Sequence, residues 1–385
     1  MRTVELFAGI GGFRVAADRL GWKTVWANDT SAKACRVYRD QFGASELNEG
    51  DFAEMKATIP AHDVLTGGFP CQPFSSAGKK EGTRDARGTL FHLIVDVLKV
   101  QRPKFFILEN VKRLLAMEDG CHFATILGSL AELDYSVEWR LLNAMNFGLP
   151  QNRERIVILG ERKSELQLQD PRIRLATSED LSAINGRQLE RLSDSNCWLA
   201  IPDHRASFPD WGLASAGRFF GLDLERFSEA QPLVTLESVL EPIVSAEFDF
   251  TEKTLEWIHS NDPVNRLVSG VQIVSNQRGG ARMGYTIFGI NGVAPTLTSS
   301  ASRHYERYRV GDRYRRLTNT EYARIQGFPD SHCRAVSVYD QYALFGNAVP
   351  PPLVEWVMRR LKGNGISWRS IPHRPKSATL FDHAI

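Results

Sequence analysis

Four residues in this 385-residue sequence are of types, and in settings, that can do covalent chemistry: Cys71, Glu109, Arg153 and Arg155. Cys71 stands in Gly67-Gly68-Phe69-Pro70-Cys71-Gln72-Pro73-Phe74-Ser75, directly after the apolar run Asp63-Val64-Leu65-Thr66. The paired glycines and the two prolines stop a helix or strand from continuing, so the thiol is presented in a stiff loop at a strand's C-terminal edge. Ligands of open α/β sheets bind at that edge, which makes Cys71 a candidate nucleophile; a buried structural cysteine is the alternative, and the commoner fate of free thiols. Glu109 follows the apolar run Phe105-Phe106-Ile107-Leu108. Desolvation there raises a carboxyl pKa and lets the group hold a proton for donation, although a structural pairing with arginine would use the same residue. Arg153 and Arg155 alternate with Asn152 and Glu154, so in an extended segment both point to one face, expected to look into the active site. Surface pairing with Glu154 is the alternative.

The elements that must carry these groups are legible in the first part of the chain. Residues 3–7, 24–28, 63–66 and 104–108 read as short buried strands, and 12–20, 31–42 and 89–100 as helices with apolar residues at three- and four-residue intervals. Such alternation predicts a doubly wound, mostly parallel α/β sheet. Residues 136–142 and 155–159 suit a terminal antiparallel hairpin. The regular alternation ends near residue 161, where a second, smaller and irregular domain is expected; 181–192 is a helical island within it, and 271–298 is rich in glycine and β-formers. Helical character returns at 318–326 and 353–361, and 363–385 reads as a flexible tail.

Composition narrows the function. Five scattered cysteines without a CxxC pair indicate neither a disulfide framework nor a zinc site, so no metal is expected and a reducing, cytoplasmic setting fits. No signal segment or membrane-length apolar run is seen. The net charge of +2 is too small to argue for nucleic acid, but residues 303–316 hold six arginines and three tyrosines against two acids, an interleaving suited to phosphates and bases or, equally, to a solvated strand. Glu5-Leu6-Phe7-Ala8-Gly9-Ile10-Gly11-Gly12-Phe13 follows the first strand and opens a helix, where glycines let a cofactor approach backbone amides. Asn28-Asp29 ends the second strand about 20 residues on, as expected of an acid that holds ribose hydroxyls. These features point to a nucleoside cofactor without saying which, and a plain strand-to-helix turn remains the alternative.

With the glycine loop, Asp29, Pro70-Cys71-Gln72 and Glu109-Asn110-Val111 in this order, the chain resembles the DNA (cytosine-5) methyltransferases of bacterial restriction-modification type. Gln151-Asn152-Arg153-Glu154-Arg155, Arg87-Gly88-Thr89-Leu90-Phe91, Arg316-Leu317-Thr318, Gln326-Gly327-Phe328-Pro329 and Gly346-Asn347-Ala348-Val349-Pro350 extend the likeness over residues 3 to about 361. The resemblance implies a class I, Rossmann-like catalytic domain from residues 1–160 and 317–362, with a target-recognition domain at 161–316. It implies S-adenosylmethionine as cofactor, held by Phe7, Gly9, Gly11, Asp29, Asp51, Phe52, Pro70, Leu90, Asn347 and Val349. Thr30 is a departure, since bacterial relatives can carry an aromatic there.

In the implied chemistry Cys71 adds to carbon 6 of a cytosine extruded from duplex DNA, and Glu109 protonates N3. Arg155 contacts O2, and Arg153 orients the Glu109 carboxylate. Gln72, Ser75, Arg278, Arg282, Thr296 and Leu297 are the candidate DNA contacts. A transfer-RNA methyltransferase of the same architecture, a silent DNA-binding relative and an NAD-dependent oxidoreductase are the rivals. A monomer, with a restriction endonuclease as functional companion, is the simplest expectation.

Overall fold

The short apolar runs become strands β1 (Arg2–Leu6), β2 (Lys23–Asp29), β3 (Leu47–Glu49), β4 (Val64–Gly68) and β5 (Phe105–Val111), which run parallel to one another. The computed structural model describes residues 1–70, 90–162, 172–177, 180, 184, 186–222, 233–276, 286–299, 306–363 and 365–367. Helices α1 (Gly12–Arg19), α2 (Ala32–Phe42), the single turn α3 (Phe52–Met55), α4 (Leu90–Gln101) and α5 (Cys121–Ala131) alternate with these strands. Successive side chains of a strand point to opposite faces, and here both faces are dry. Phe106 and Leu108 share a core with Phe91 and Ile94 of α4 and Phe123 of α5, whereas Phe105 and Ile107 pack on the other side with Phe13 and Ala16 of α1. A parallel sheet covered in this way needs continuous apolar strands, which is why those runs were readable.

The expected hairpin forms from β6 (Tyr135–Asn143) and β7 (Glu154–Arg162), but it is not terminal. The structure corrects the expectation: β7 pairs antiparallel with β5, and the free edge of β6 takes up β10 (Trp211–Ser215). The chain reaches β10 through β8 (Arg172–Ile173), α6 (Gly186–Ser193) and β9 (Leu199–Ala200), and β11 (Arg218–Gly221) follows. The full order is β3-β2-β1-β4-β5-β7-β6-β10-β11-β9. Gly212 makes the junction possible, because a Cβ there would come within 2.3 Å of the Trp139 ring. Buried Glu138 of β6 fixes it further by accepting from the Trp211 indole at 2.9 Å and the Arg174 amide at 2.7 Å. Residues 199–221, expected in the second unit, are thus part of the large sheet.

A five-stranded sheet follows α7 (Glu252–His259) and contains β12 (Asp262–Val268), β13 (Val271–Asn276), β14 (Thr286–Phe288), β15 (Arg307–Val310) and β16 (Arg313–Arg315), in that order. Its arginines are largely engaged within the fold. Arg315 is buried against Glu321 at 2.7 Å, Arg313 meets Asp249 at 2.6 Å, Arg316 bonds the Glu247 carbonyl, and Arg307 lies 4.6 Å above the Trp257 ring. The basic stretch therefore does not form a free cationic strip among the described residues.

Helix α8 (Asn319–Gln326) begins with a capping box in which the Thr318 hydroxyl accepts from Glu321 N–H and the Glu321 carboxylate accepts from Thr318 N–H. Helices α9 (Val338–Asn347) and α10 (Pro351–Arg359) complete the chain's return. Leu353, Val354 and Val357 of α10 pack in one cluster with Phe13, Ala16 and Ala17 of α1, so the last helix sits on the first. Ile366–Ser367 forms β17 against β8, inside the stretch expected to be a loose tail; residues 368–385 lie outside the described residues. No helix among the described residues is long and apolar enough to cross a membrane.

Candidate active site

At the C-terminal edge of β1, β2, β4 and β5 lies a cavity of about 390 Å³. Phe7, Gly9 and Asp29 line one end, and Glu109, Arg153 and Arg155 the other; Asn347 and Val349 return from the far end of the sequence to its wall. Phe7 takes a left-handed φ of 52°, and Gly9 and Gly11 follow at 56° and 82°. Non-glycine residues seldom adopt that region, and such strain clusters at ligand sites. Asp29 holds the loop: one carboxylate oxygen accepts from Gly9 N–H at 2.8 Å and the other from Ser31 N–H at 2.8 Å. The Val349 side is fitted closely, since a Cβ on Gly12 would lie 2.3 Å from the Val349 carbonyl oxygen.

Four expected cofactor residues are not in this wall: Gly11 turns toward Phe42, whose ring a Cβ there would meet at 2.4 Å, and Phe52, Asp51 and Leu90 also lie outside it. Phe52 is buried behind Phe7, ring edge to face at 5.5 Å. The Asp51 carboxylate caps α3 by accepting from Ala53 N–H at 2.9 Å, and Leu90 opens α4 outside the cavity lining. Pro70 is in the wall, as are Ala8, Ile10 and Phe69, which the sequence had not singled out. Their only signal was adjacency to the glycine loop and the Cys71 loop.

At the other end Glu109 is 8% exposed, and burial pushes its carboxyl above the usual range, although Arg155 and Arg153 pull it back down. The antiparallel register of β5 and β7 sets Val111 opposite Arg155, and the Arg155 Nε reaches the Glu109 carboxylate at 2.8 Å. The resemblance gave that orienting contact to Arg153; the structure gives it to Arg155. Arg153 instead donates to the carbonyls of Leu297, Gly346 and Ala348, at 2.9, 2.9 and 3.0 Å. Both guanidiniums do line the same cavity, as their alternation predicts. Asn110 donates to the Phe69 carbonyl at 3.0 Å and so ties the end of β5 to the approach to Cys71. Cys71, Gln72 and Ser75 lie outside the described residues, as do Arg278 and Arg282.

A second cavity of about 340 Å³ shares Val111 and Arg155 with the first and is bordered by Lys112, Arg113, Asn152, Val271 and Thr296. It opens between the large sheet and the five-stranded sheet. Thr296 is at its edge, with its hydroxyl donating to the Asn152 carbonyl at 2.6 Å. Leu297, expected to touch DNA, is 1% exposed in the apolar core, its N–H held by the Gln151 side chain at 3.0 Å; its apolar side chain went inward because Thr296 took the outward position. Lys112 and Arg113 were missed by sequence reasoning, their only signal being their place after Glu109-Asn110-Val111.

The first cavity suits a nucleoside with an amino-acid arm. Its volume falls in the range of small-molecule sites, an aromatic and a carboxylate stand at one end, and a glycine loop runs along it. Among the described residues no group of His, Cys, Asp or Glu is arranged to hold a metal ion.

Comparison with known proteins defines the class. The family of C-5 cytosine-specific DNA methylases matches residues 1–363, and the chain belongs to that family. It is a DNA (cytosine-5) methyltransferase, of a family that uses S-adenosylmethionine. Among its relatives, the Type II methyltransferase M.NgoBI of Neisseria gonorrhoeae is 32% identical over 96% of this chain and 98% of its own length. M.HhaI of Haemophilus parahaemolyticus is 30% identical over 93% of each chain. The fold is also that of the S. pombe Dnmt2 methyltransferase, at a TM-score of 0.59 and 18% identity, covering 94% of this chain and 98% of the other.

Proposed function

We propose that this methyltransferase modifies one cytosine within a short, fixed sequence of double-stranded DNA, with Cys71 as nucleophile and the target base rotated out of the helix. The observation that carries the reading is Glu109: a buried carboxyl that desolvation pushes above its usual range, oriented by Arg155, which lines both cavities. When bound, S-adenosylmethionine supplies the methyl group that carbon 5 takes. Phe7 would face its adenine and Asp29 its ribose, with the glycine loop and the Asn347–Val349 turn along the methionine part. Phe52 supports that end from behind Phe7.

Carbon 5 of cytosine is too electron-poor to react unaided. The Cys71 thiolate adds at carbon 6; a free thiol of pKa about 8.5 is only a few per cent thiolate at neutral pH but is intrinsically nucleophilic. Electron density then moves toward N3, where Glu109 donates its proton. Arg155 holds that carboxyl and offers its remaining N–H groups to O2. Once carbon 5 carries its methyl, its hydrogen leaves to a bound water, the Cys71–carbon 6 bond breaks and Glu109 recovers the N3 proton. A stacked base cannot reach the pocket, and rotating it out costs a few kcal/mol.

We assign catalysis to residues 1–160 with 317–362, and recognition to the part of 161–316 outside β9–β11, where the five-stranded sheet and the Thr296 turn border the second cavity; Arg278 and Arg282 are candidate base readers on their residue type. Arginine forks read guanine edges well. The relatives' designation as Type II methyltransferases supports a protective role beside a restriction endonuclease. The test is covalent trapping on duplex DNA containing 5-fluorocytosine, whose fluorine cannot leave as a proton. A stable protein–DNA adduct is expected with the natural chain and none with Cys71→Ala; an adduct undiminished in that variant contradicts the assignment.

A further inference from the structure

Arg153 is buried more completely than Glu109, at 1% exposure, yet its guanidinium touches no carboxylate among the described residues. Burying a cation without a carboxylate in direct contact is costly, and an apolar side chain of similar length would fill the space without that penalty. What the guanidinium adds is a rigid fork of donors. That fork joins two stretches of chain remote from it and from each other in sequence. Leu297 belongs to the segment that carries Thr296 at the edge of the second cavity; Gly346 and Ala348 flank Asn347 in the wall of the first. The Arg153 backbone is itself fixed to β6's end, its N–H donating to the Asn143 side chain at 3.0 Å.

Neighbouring Gln151 repeats the pattern with neutral groups. Its carbonyl oxygen accepts from Leu297 N–H at 3.0 Å and its amide donates to Gln326 at 3.1 Å, and the Gln326 amide donates in turn to the Phe345 carbonyl. Arg155, two residues on and lining the same cavity, bonds neither segment; its contacts go to Glu109 and the Glu154 carbonyl.

We propose that Arg153 is a positioning residue that couples the cofactor cavity to the DNA cleft, by making the placement of the 294–298 segment and of the 346–349 turn one variable. A ligand that fixes either segment then favours the arrangement the other ligand needs, and the coupling is reciprocal. The inference rests on the proposed function, with the first cavity holding the cofactor and the second, bordered by Thr296, Lys112 and Arg113, taken as the DNA cleft.

The test measures the affinity of the full chain for S-adenosylhomocysteine by calorimetry, with and without saturating duplex carrying the modified site, in the natural protein, Arg153→Lys and Thr296→Val. Lysine keeps the charge but cannot reach three carbonyls. The natural protein is expected to bind about tenfold tighter when DNA is present, and Arg153→Lys to bring that ratio to about one. Thr296→Val, which removes only the hydroxyl bond to Asn152, lowers the ratio part of the way. Loss of activity in Arg153→Lys should appear mainly in KM for both substrates, and in Arg155→Lys mainly in kcat. A ratio near one in the natural protein, or an undiminished ratio in Arg153→Lys, overturns the proposal; should Arg153→Lys fail to fold, an unchanged ratio in Thr296→Val does so. A natural chain that methylates no DNA would instead defeat the functional reading, and that failure is scored separately.

Discussion

The two ends of the first cavity are built from different materials. The Phe7–Gly12 end is mostly main chain: three left-handed residues, with the Asp29 carboxylate spent on backbone N–H groups. The Glu109 end is made of ionisable side chains withdrawn from water. A site that must fit a cofactor closely can be shaped by backbone, because shape is what it recognises. A site that must move a proton needs groups whose charge is costly enough to change. The first end should therefore be sensitive to added atoms and the second to altered charge.

The largest effect is expected where the charge does chemistry. Glu109→Gln keeps the shape but carries no transferable proton, and should lower kcat by roughly 10²–10⁴-fold while cofactor affinity, measured by titration, shifts by less than about threefold. Arg155→Met should lower kcat by a smaller factor, about 10- to 100-fold, and sharpen the comparison through pH. Burial raises the Glu109 carboxyl and Arg155 lowers it, so removing Arg155 raises it further. Activity that needs the protonated acid falls as pH rises through its pKa. The alkaline fall of kcat in Arg155→Met should thus lie at higher pH than in the natural protein; a fall at lower pH would contradict Glu109 as acid.

At the backbone-built end, Gly12→Ala forces a Cβ against the Val349 carbonyl. It should raise KM for S-adenosylmethionine roughly tenfold with kcat nearly kept, and an equal loss in kcat would erase the distinction between the ends. The prediction furthest from the chemistry concerns the stability contributed by Glu5, beneath the glycine loop, which accepts from the Tyr38 hydroxyl at 3.2 Å and is pushed by burial from its ordinary 4.5 up to about 8. Its folded pKa exceeds the unfolded one, so its contribution to stability is complete below 4.5 and is lost as pH rises through about 8. Over that window Glu5 alone gives a slope of about 1.4 kcal/mol per pH unit. Denaturant unfolding between pH 5 and 9 should show a flatter profile for Glu5→Gln.

Legibility in the sequence followed the range of the interactions. β1, β2, β4 and β5 were readable because both faces of each strand are buried, and α8 because its capping box is local. The addition of β10 and β11 to β6 was not, since it depends on Gly212 meeting Trp139 and on Glu138 bonding Trp211, contacts about seventy residues apart. In the site, the alternation of Arg153 and Arg155 fixed their common face, whereas their division of roles depended on which partner each met in three dimensions. Leu297 and the arginines of 307–316 show the same limit. Their types suited a DNA surface, and only packing reveals that Leu297 is in the core and Arg315 against Glu321.

The central claim is that this chain methylates carbon 5 of a cytosine in a defined DNA site through Cys71. Base-resolution mapping of 5-methylcytosine in plasmid from a methylation-free host expressing the natural chain or Cys71→Ala tests it most directly. The account predicts modified cytosines confined to one short motif and absent in the variant. An unmodified plasmid from cells holding the folded natural protein, or the same modification with Cys71→Ala, would contradict it.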